Sequence, residues 1–275
     1  MMGDAQPVRP MASLQGGDAA AMPAMQIVEL DKWFGGLHAT DGVSFSVPHG
    51  SLTAIIGPNG AGKTTLFNLI TNLLPPDAGR VEFYGKSING LSPTQVARSG
   101  LIRTFQTARV FPGMTALENV LAGAHQLLRN GAGRQMLWLP SARREERRLR
   151  ERALAFMDVA GLSGYANLAA TDLPMGAQKL LEIIRALMAR PRLLLLDEPA
   201  AGLNDSETAE LSSLLHVIRD CAVTIMLVEH NMSLVMGIAS QVIVLDAGRI
   251  VATGSPGEIQ RNPDVIKAYV GQGDP

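Results

Sequence analysis

The nine residues GPNGAGKTT (57–65) constrain this chain more than any other stretch. They follow the apolar run SLTAII (51–56). After them Leu66, Phe67, Ile70, Leu73 and Leu74 fall along one helical stripe, stopped by Pro75 and Pro76. The order is strand, glycine-rich loop, helix. Gly57, Gly62, Lys63 and Thr64 occupy the fixed positions of the pattern G-x-x-x-x-G-K-[ST]. Glycines let the backbone curl until successive N–H groups point into one concavity. The helix N-terminus adds its dipole to that anion site. Lys63 brings a compact positive charge, and Thr64 a hydroxyl suited to a divalent cation. Gly57, Pro58, Asn59, Gly60, Ala61, Gly62, Lys63, Thr64 and Thr65 together read as a cradle for phosphate.

A second string belongs beside the first. LLLLDEP (193–199) is an apolar strand ending in two carboxylates. Buried charges are costly without partners, so paired acids after four leucines point to a working role. Asp197 can hold Mg²⁺ through water, and Glu198 can orient or activate an attacking water. The two strings specify a Mg²⁺-dependent nucleoside triphosphatase.

The rest of the chain fits an α/β architecture. The runs at 51–57, 192–198 and 223–230 are apolar without alternation, as strands buried on both faces of a parallel sheet are. VSFSV (43–47) alternates like a half-buried strand, RVEFYG (80–85) reads as another strand, and 241–254 reads as a hairpin turning near Ala247 and Gly248. Helices are expected at 178–190, where Pro191 stops the pattern, and at 205–219, where Asn204 and Glu207 stand at capping-box spacing. Residues 99–170 are helix-like and charge-dense, without buried strand runs. Within them, 141–162 is an amphipathic helix whose arginines and glutamates form a solvated face. Residues 1–24 read as a disordered extension with no secretory signal. A net charge of −1 gives no reason to expect nucleic acid as a partner. No apolar run reaches the roughly 18 residues of a spanning helix, so contact with a membrane would come through a partner or a surface. Cys221, the one cysteine, excludes an internal disulfide and is expected to be buried and inert.

In their order along the chain, these motifs resemble the ATP-binding subunits of ABC transporters. More narrowly, they are similar to the ATPase subunits of bacterial branched-chain amino acid importers, over residues 26–272. The narrow likeness rests on FGGLHATDGVSFSV, RTFQTARVFPGMTALENVL, DEPAAGLN, EHNMSLVMGIA and NPDVIKAYVG. The resemblance implies a P-loop NTPase core of the RecA type (25–98 and 171–275) with an antiparallel β subdomain, and an inserted α-helical subdomain (99–170). It implies ATP and Mg²⁺ as cofactors. Phe34 would stack on adenine, with Trp33 the weaker candidate. Gln106 would reach the metal and the lytic water, His230 would contact the γ-phosphate, and the catalytic set would be Glu198, His230, Gln106 and Lys63. Thr64, Gln106 and Asp197 would serve the metal. The implied partners are a second ATPase subunit, two transmembrane permeases and, indirectly, a periplasmic solute-binding protein, at the cytoplasmic face of the inner membrane. The transported solute is inherited by resemblance alone, and related systems handle urea, short amides or lipopolysaccharide. A kinase or GTPase is disfavoured, since no guanine-reading N-K-x-D element follows a strand.

One motif departs from the family pattern. The signature L-S-G-G-Q reads here LPMGA: Leu173 and Gly176 are kept, while Pro174, Met175 and Ala177 replace Ser, Gly and Gln. In the family this segment closes over the γ-phosphate held by the other subunit. Pro174 as the first helical residue would cost the helix little, and Gly176 and Ala177 would still offer backbone N–H groups. A hydroxyl donor and a backbone donor are lost. A hydrogen bond to a charged group is worth about 1.5–3 kcal/mol, or roughly ten- to 150-fold in rate. The defect lies in trans, so two shared ATP sites would be unequal, or the subunit would bind ATP and hydrolyse it poorly.

Overall fold

The computed structural model describes residues 22–104, 110–125 and 140–270. Its frame is two sheets. The first is antiparallel, ordered β2-β1-β4-β5, from β1 (Met25–Phe34), β2 (Leu37–Val47), β4 (Ala78–Phe83) and β5 (Lys86–Ser87). The second is ordered β10-β9-β3-β8-β7-β6, from β3 (Leu52–Ile56), β6 (Leu101–Arg103), β7 (Leu193–Asp197), β8 (Thr224–Val228), β9 (Gln241–Asp246) and β10 (Arg249–Gly254). Its strands pair in parallel from β9 through β6, and β10 returns antiparallel to β9 across the turn at 247–248.

The reason for the unbroken apolar runs is visible in the packing. Every residue of β3, β7 and β8 is buried. Leu194, Leu196, Ile225 and Leu227 face one core cluster, and Leu193, Leu195, Met226 and Val228 face another. Alternate side chains thus serve opposite faces, and each buried leucine contributes roughly 1.5–3 kcal/mol. The first cluster is covered by helices α3 (Ala116–Ala122), α4 (Pro140–Val159), α5 (Met175–Met188) and α6 (Asp205–Asp220). The second is covered by the antiparallel sheet and helix α1 (Lys63–Ile70). The remaining helices are α2 (Pro93–Arg98), α7 (Met232–Ile238), α8 (Pro256–Gln260) and α9 (Pro263–Val270).

Several sequence expectations are corrected. Helix α1 ends at Ile70, well before the two prolines. Thr71 returns its hydroxyl to the Phe67 carbonyl at 2.8 Å, and Asn72 turns left-handed at φ 52°. The Asn72 amide donates to the carbonyls of Ile88 and Leu91, which stabilises that turn. Leu73 consequently leaves the buried stripe and is half exposed. The segment beginning at 99 does contain a strand: β6 pairs with β7 and places residues 101–103 in the parallel sheet. Ala24, grouped with the leader, is buried and bonded through its amide to Val47. Residues 1–21 lie outside the described residues. Helix α5 starts at Met175, so Pro174 is its extended N-cap rather than its first helical residue. Helix α4 is not solvated along its whole charged face. Arg152 lies over the Phe156 ring and donates to the Leu187 carbonyl, and burial beside Arg190 pushes its guanidinium down to about 10. Cys221 closes α6 and is partly buried, and burial pushes its thiol pKa up.

Candidate functional site

Strand order brings the separate strings together. β3, β8 and β7 are neighbours, so their carboxyl ends form one edge. Ile55 pairs with Val228, and Val228 with Asp197, in a single row across three strands. The chain beyond that row supplies the phosphate loop from β3, Glu229 and His230 from β8, and Glu198 from β7. This is the edge at which parallel α/β sheets bind ligands.

The loop at 57–62 ends in Gly62, which caps α1 in a left-handed conformation at φ 97°. A Cβ there would lie 2.4 Å from the Ala39 carbonyl oxygen, so only glycine fits. Lys63 is buried and donates to the carbonyls of Gly57 and Pro58, both at 2.8 Å. Burial lowers its ammonium pKa, and the charges of Glu198 and Asp197 push it partly back up. Asn59, Gly60 and Thr64 are exposed, Thr65 is half-buried, and Pro58 and Ala61 are buried. Asn59, Gly60 and Thr64 therefore form the exposed side of the loop and of the first turn of α1.

Asp197 is buried at the end of β7. One carboxylate oxygen takes a 2.7 Å ion pair from Arg103. The same guanidinium donates to Asn68 Oδ1 at 2.7 Å and lies over the Phe67 ring. Glu198 sits in the left-handed region at φ 49°, a strain of order 1–3 kcal/mol for a residue with a side chain. Its amide donates to the Val228 carbonyl at 2.9 Å, and its Oε2 lies 3.2 Å from His230 Nε2. A carboxylate and an imidazole thus meet beside an anion cradle, which is what activation of a water against a terminal phosphate requires.

Trp33 and Phe34 end β1 at the hairpin with β2, and each is about half exposed. Trp33 stacks on His38 with ring centroids 3.7 Å apart, while Lys32 lies 5.9 Å over the Phe34 ring. Ala39 of the same hairpin abuts Gly62, so β2 packs against the end of the phosphate loop. Gln106 lies among residues 105–109, outside the described residues. Gly176 is brought to a different place, buried against Glu207 of α6. Met175 beside it is 55% exposed and reaches over Gly202. The start of α5 therefore borders the loop at 199–204 and the start of α6.

Three charged residues went unnoticed in the sequence: Arg103, Lys179 and Glu229. Lys179 lies three residues before Glu182 and four before Ile183, within the buried stripe of α5, and Glu229 directly follows a buried strand. A charge inside an apolar period was the available signal for both.

The ABC transporter family pattern matches residues 40–201, and a pattern described as branched-chain amino acid ATP-binding cassette transporter matches residues 249–275. The chain is 43% identical to the high-affinity branched-chain amino acid transport ATP-binding protein BraF of Pseudomonas aeruginosa, over 91% of this chain and 98% of that protein. It is 42% identical to LivG of Escherichia coli, a protein of the same description, over 92% and 99%. The solved ADP conformation of MJ1267, an ATP-binding cassette of an ABC transporter, superposes with a TM-score of 0.79 at 32% identity, covering 91% of this chain and all of that one.

Proposed function

The chain belongs to the ABC transporter family of ATP-binding cassettes, and from that premise we propose that it hydrolyses ATP to drive branched-chain amino acid import through transmembrane partners. The observation that carries the reading is the Glu198–His230 pair, 3.2 Å apart at the mouth of the phosphate loop. A subunit that only binds nucleotide has no need of that pair.

The residues fit ATP with Mg²⁺. The cradle would offer amides and the exposed Thr64, and across the intervening β8 stands the Asp197 carboxylate with one oxygen on Arg103. Thr64 and Gln106, and Asp197 through water, would hold Mg²⁺, which when bound would supply charge neutralisation at the phosphate oxygens. Lys63 would release the Gly57 and Pro58 carbonyls and direct its ammonium to the β- and γ-phosphates. The hairpin would present Phe34 to the adenine ring. Glu198 would accept the proton of the attacking water, and His230 would hold Glu198 and donate to the γ-phosphate.

Among the described residues no helix is long and apolar enough to cross a membrane. The permeases, a periplasmic binding protein and a second ATPase subunit would supply the transport path, with this chain at the cytoplasmic face. The likeness of residues 249–275 to the branched-chain pattern supports that solute class over urea, amides or lipopolysaccharide.

The test is steady-state ATP turnover of the full chain, alone and with its partner ATPase, followed by leucine uptake in vesicles carrying the assembled complex. Lys63→Ala and Glu198→Gln should each lower kcat by at least about 100-fold, the scale on which a general base or an electrostatic clamp acts. Turnover in the wild type no greater than in Glu198→Gln would refute the reading.

A further inference from the structure

The loop at 198–201 is gripped from both sides by buried ions. On one side stands Glu229, 1% exposed. Its carboxylate accepts from the amide of Ala200 at 2.6 Å, and from those of His230 at 3.0 Å and Asn231 at 3.2 Å. On the other side stands Lys179 of α5, 7% exposed, which donates to the carbonyls of Ala201 and, at 3.5 Å, Glu198. The loop therefore loses neither its donor nor its acceptors to water. Each ion is held by backbone groups of the loop and by the field of the other.

This arrangement joins three parts that the chemistry uses separately. Glu198 is strained at φ 49° and needs an outside hold to keep its side chain on His230. His230 takes its backbone direction from Glu229. Lys179 sits one helical turn into α5, whose first residues are the signature segment. A shift of that helix end moves Lys179, then the carbonyls of Glu198 and Ala201, then the amide of Ala200 on Glu229, then His230.

We propose that Glu229 and Lys179 are positioning residues that couple the signature helix to the Glu198–His230 pair of the same chain. The helix a subunit offers to its partner's nucleotide would thereby report on, and bias, hydrolysis at its own. This rests on the ATPase reading above and adds a path between two shared sites.

Two measurements on the full chain test it. The first is amide hydrogen exchange without nucleotide. Lys179→Met touches neither His230 nor Asn231, yet should speed exchange at both amides and at Ala200, while Lys179→Arg restores protection. Unchanged exchange at His230 and Asn231 in Lys179→Met overturns the coupling. The second is a double-mutant cycle on ATP turnover. Glu229→Gln replaces one acceptor oxygen by an amide that faces the same N–H groups. It should lower kcat at least about tenfold with the ATP KM within about twofold. In a His230→Ala background the same change should cost less than about twofold. An equal loss with and without His230, or no loss at all, overturns the proposal and leaves Glu229 as a merely structural ion. Glu229→Asp serves where Glu229→Gln does not fold. Absence of turnover in the wild type would count against the ATPase reading, and the exchange result would still decide the coupling.

Discussion

Asp197 does not stand alone at the end of β7. Its carboxylate is buried, and the Arg103 guanidinium that pairs with it is almost as buried and also holds Asn68. Such a pair adds little net stability over apolar residues of the same shape, but removing one partner strands the other. Arg103→Met should therefore cost about 3–5 kcal/mol, read as a lower urea midpoint at unchanged slope. Arg103→Lys should recover only part of it, since a lysine keeps the charge but not the fork that reaches Asp197 and Asn68 together. A midpoint unchanged in Arg103→Met would mean that water, and not the guanidinium, satisfies Asp197.

At the scale of elements, the start of α5 packs on the start of α6. A Cβ added to Gly176 would lie 2.5 Å from Glu207 Oε1. The other oxygen of Glu207 accepts from the Asn204 amide at 3.0 Å, while Asn204 Oδ1 accepts from the Glu207 amide at 3.0 Å, closing the capping box of α6. Glu207 can swing away from an alanine only by opening that box. Gly176→Ala should thus cost about 1 kcal/mol, the worth of a cap. The cost should nearly vanish when Glu207→Ala is already present, a non-additivity visible in thermal unfolding of the four variants. Full additivity would mean that the crowding falls on other atoms. The one glycine retained from the signature therefore has a structural reason within this chain, besides its place in a shared site.

At the scale of the whole molecule, the intact and the altered motifs sit on different elements. Lys63, Thr64, Asp197, Glu198 and His230 gather at the carboxyl edge of the parallel sheet, while Met175, the first residue of α5, borders the loop at 199–204. Pro174 has no hydroxyl and no N–H to offer a partner's γ-phosphate, and Met175 puts an exposed side chain where the signature pattern L-S-G-G-Q has glycine. Paired with a different ATPase, this chain's own catalytic set would face the partner's signature, and the partner's set would face LPMGA. Turnover should then fall more when the general-base glutamate is removed from this chain than when it is removed from the partner. Equal losses from the two variants would refute the asymmetry. The helix that begins with this segment also holds the loop behind Glu198, through Lys179.

The sequence by itself determined the chemistry. The phosphate loop and the acid pair are contiguous strings, and each carries its reason in its own residues: glycines for curvature, a lysine for charge, carboxylates after a buried run. His230 is singled out only by resemblance. The two-faced burial of β3, β7 and β8 was equally legible, because a strand covered on both sides has no polar period. Other matters were settled only in three dimensions. Arg103 reaches Asp197 across 94 residues, and Glu229 reaches Ala200 across 29, because β6, β7 and β8 lie side by side. Strand order is a property of the assembled sheet, and a buried charge takes whichever partner that order brings within reach. The early end of α1 and the strand at 101–103 follow the same rule. Asn72 turns left-handed where the carbonyls of Ile88 and Leu91 can take its amide, and β6 forms because β7 offers it an open edge.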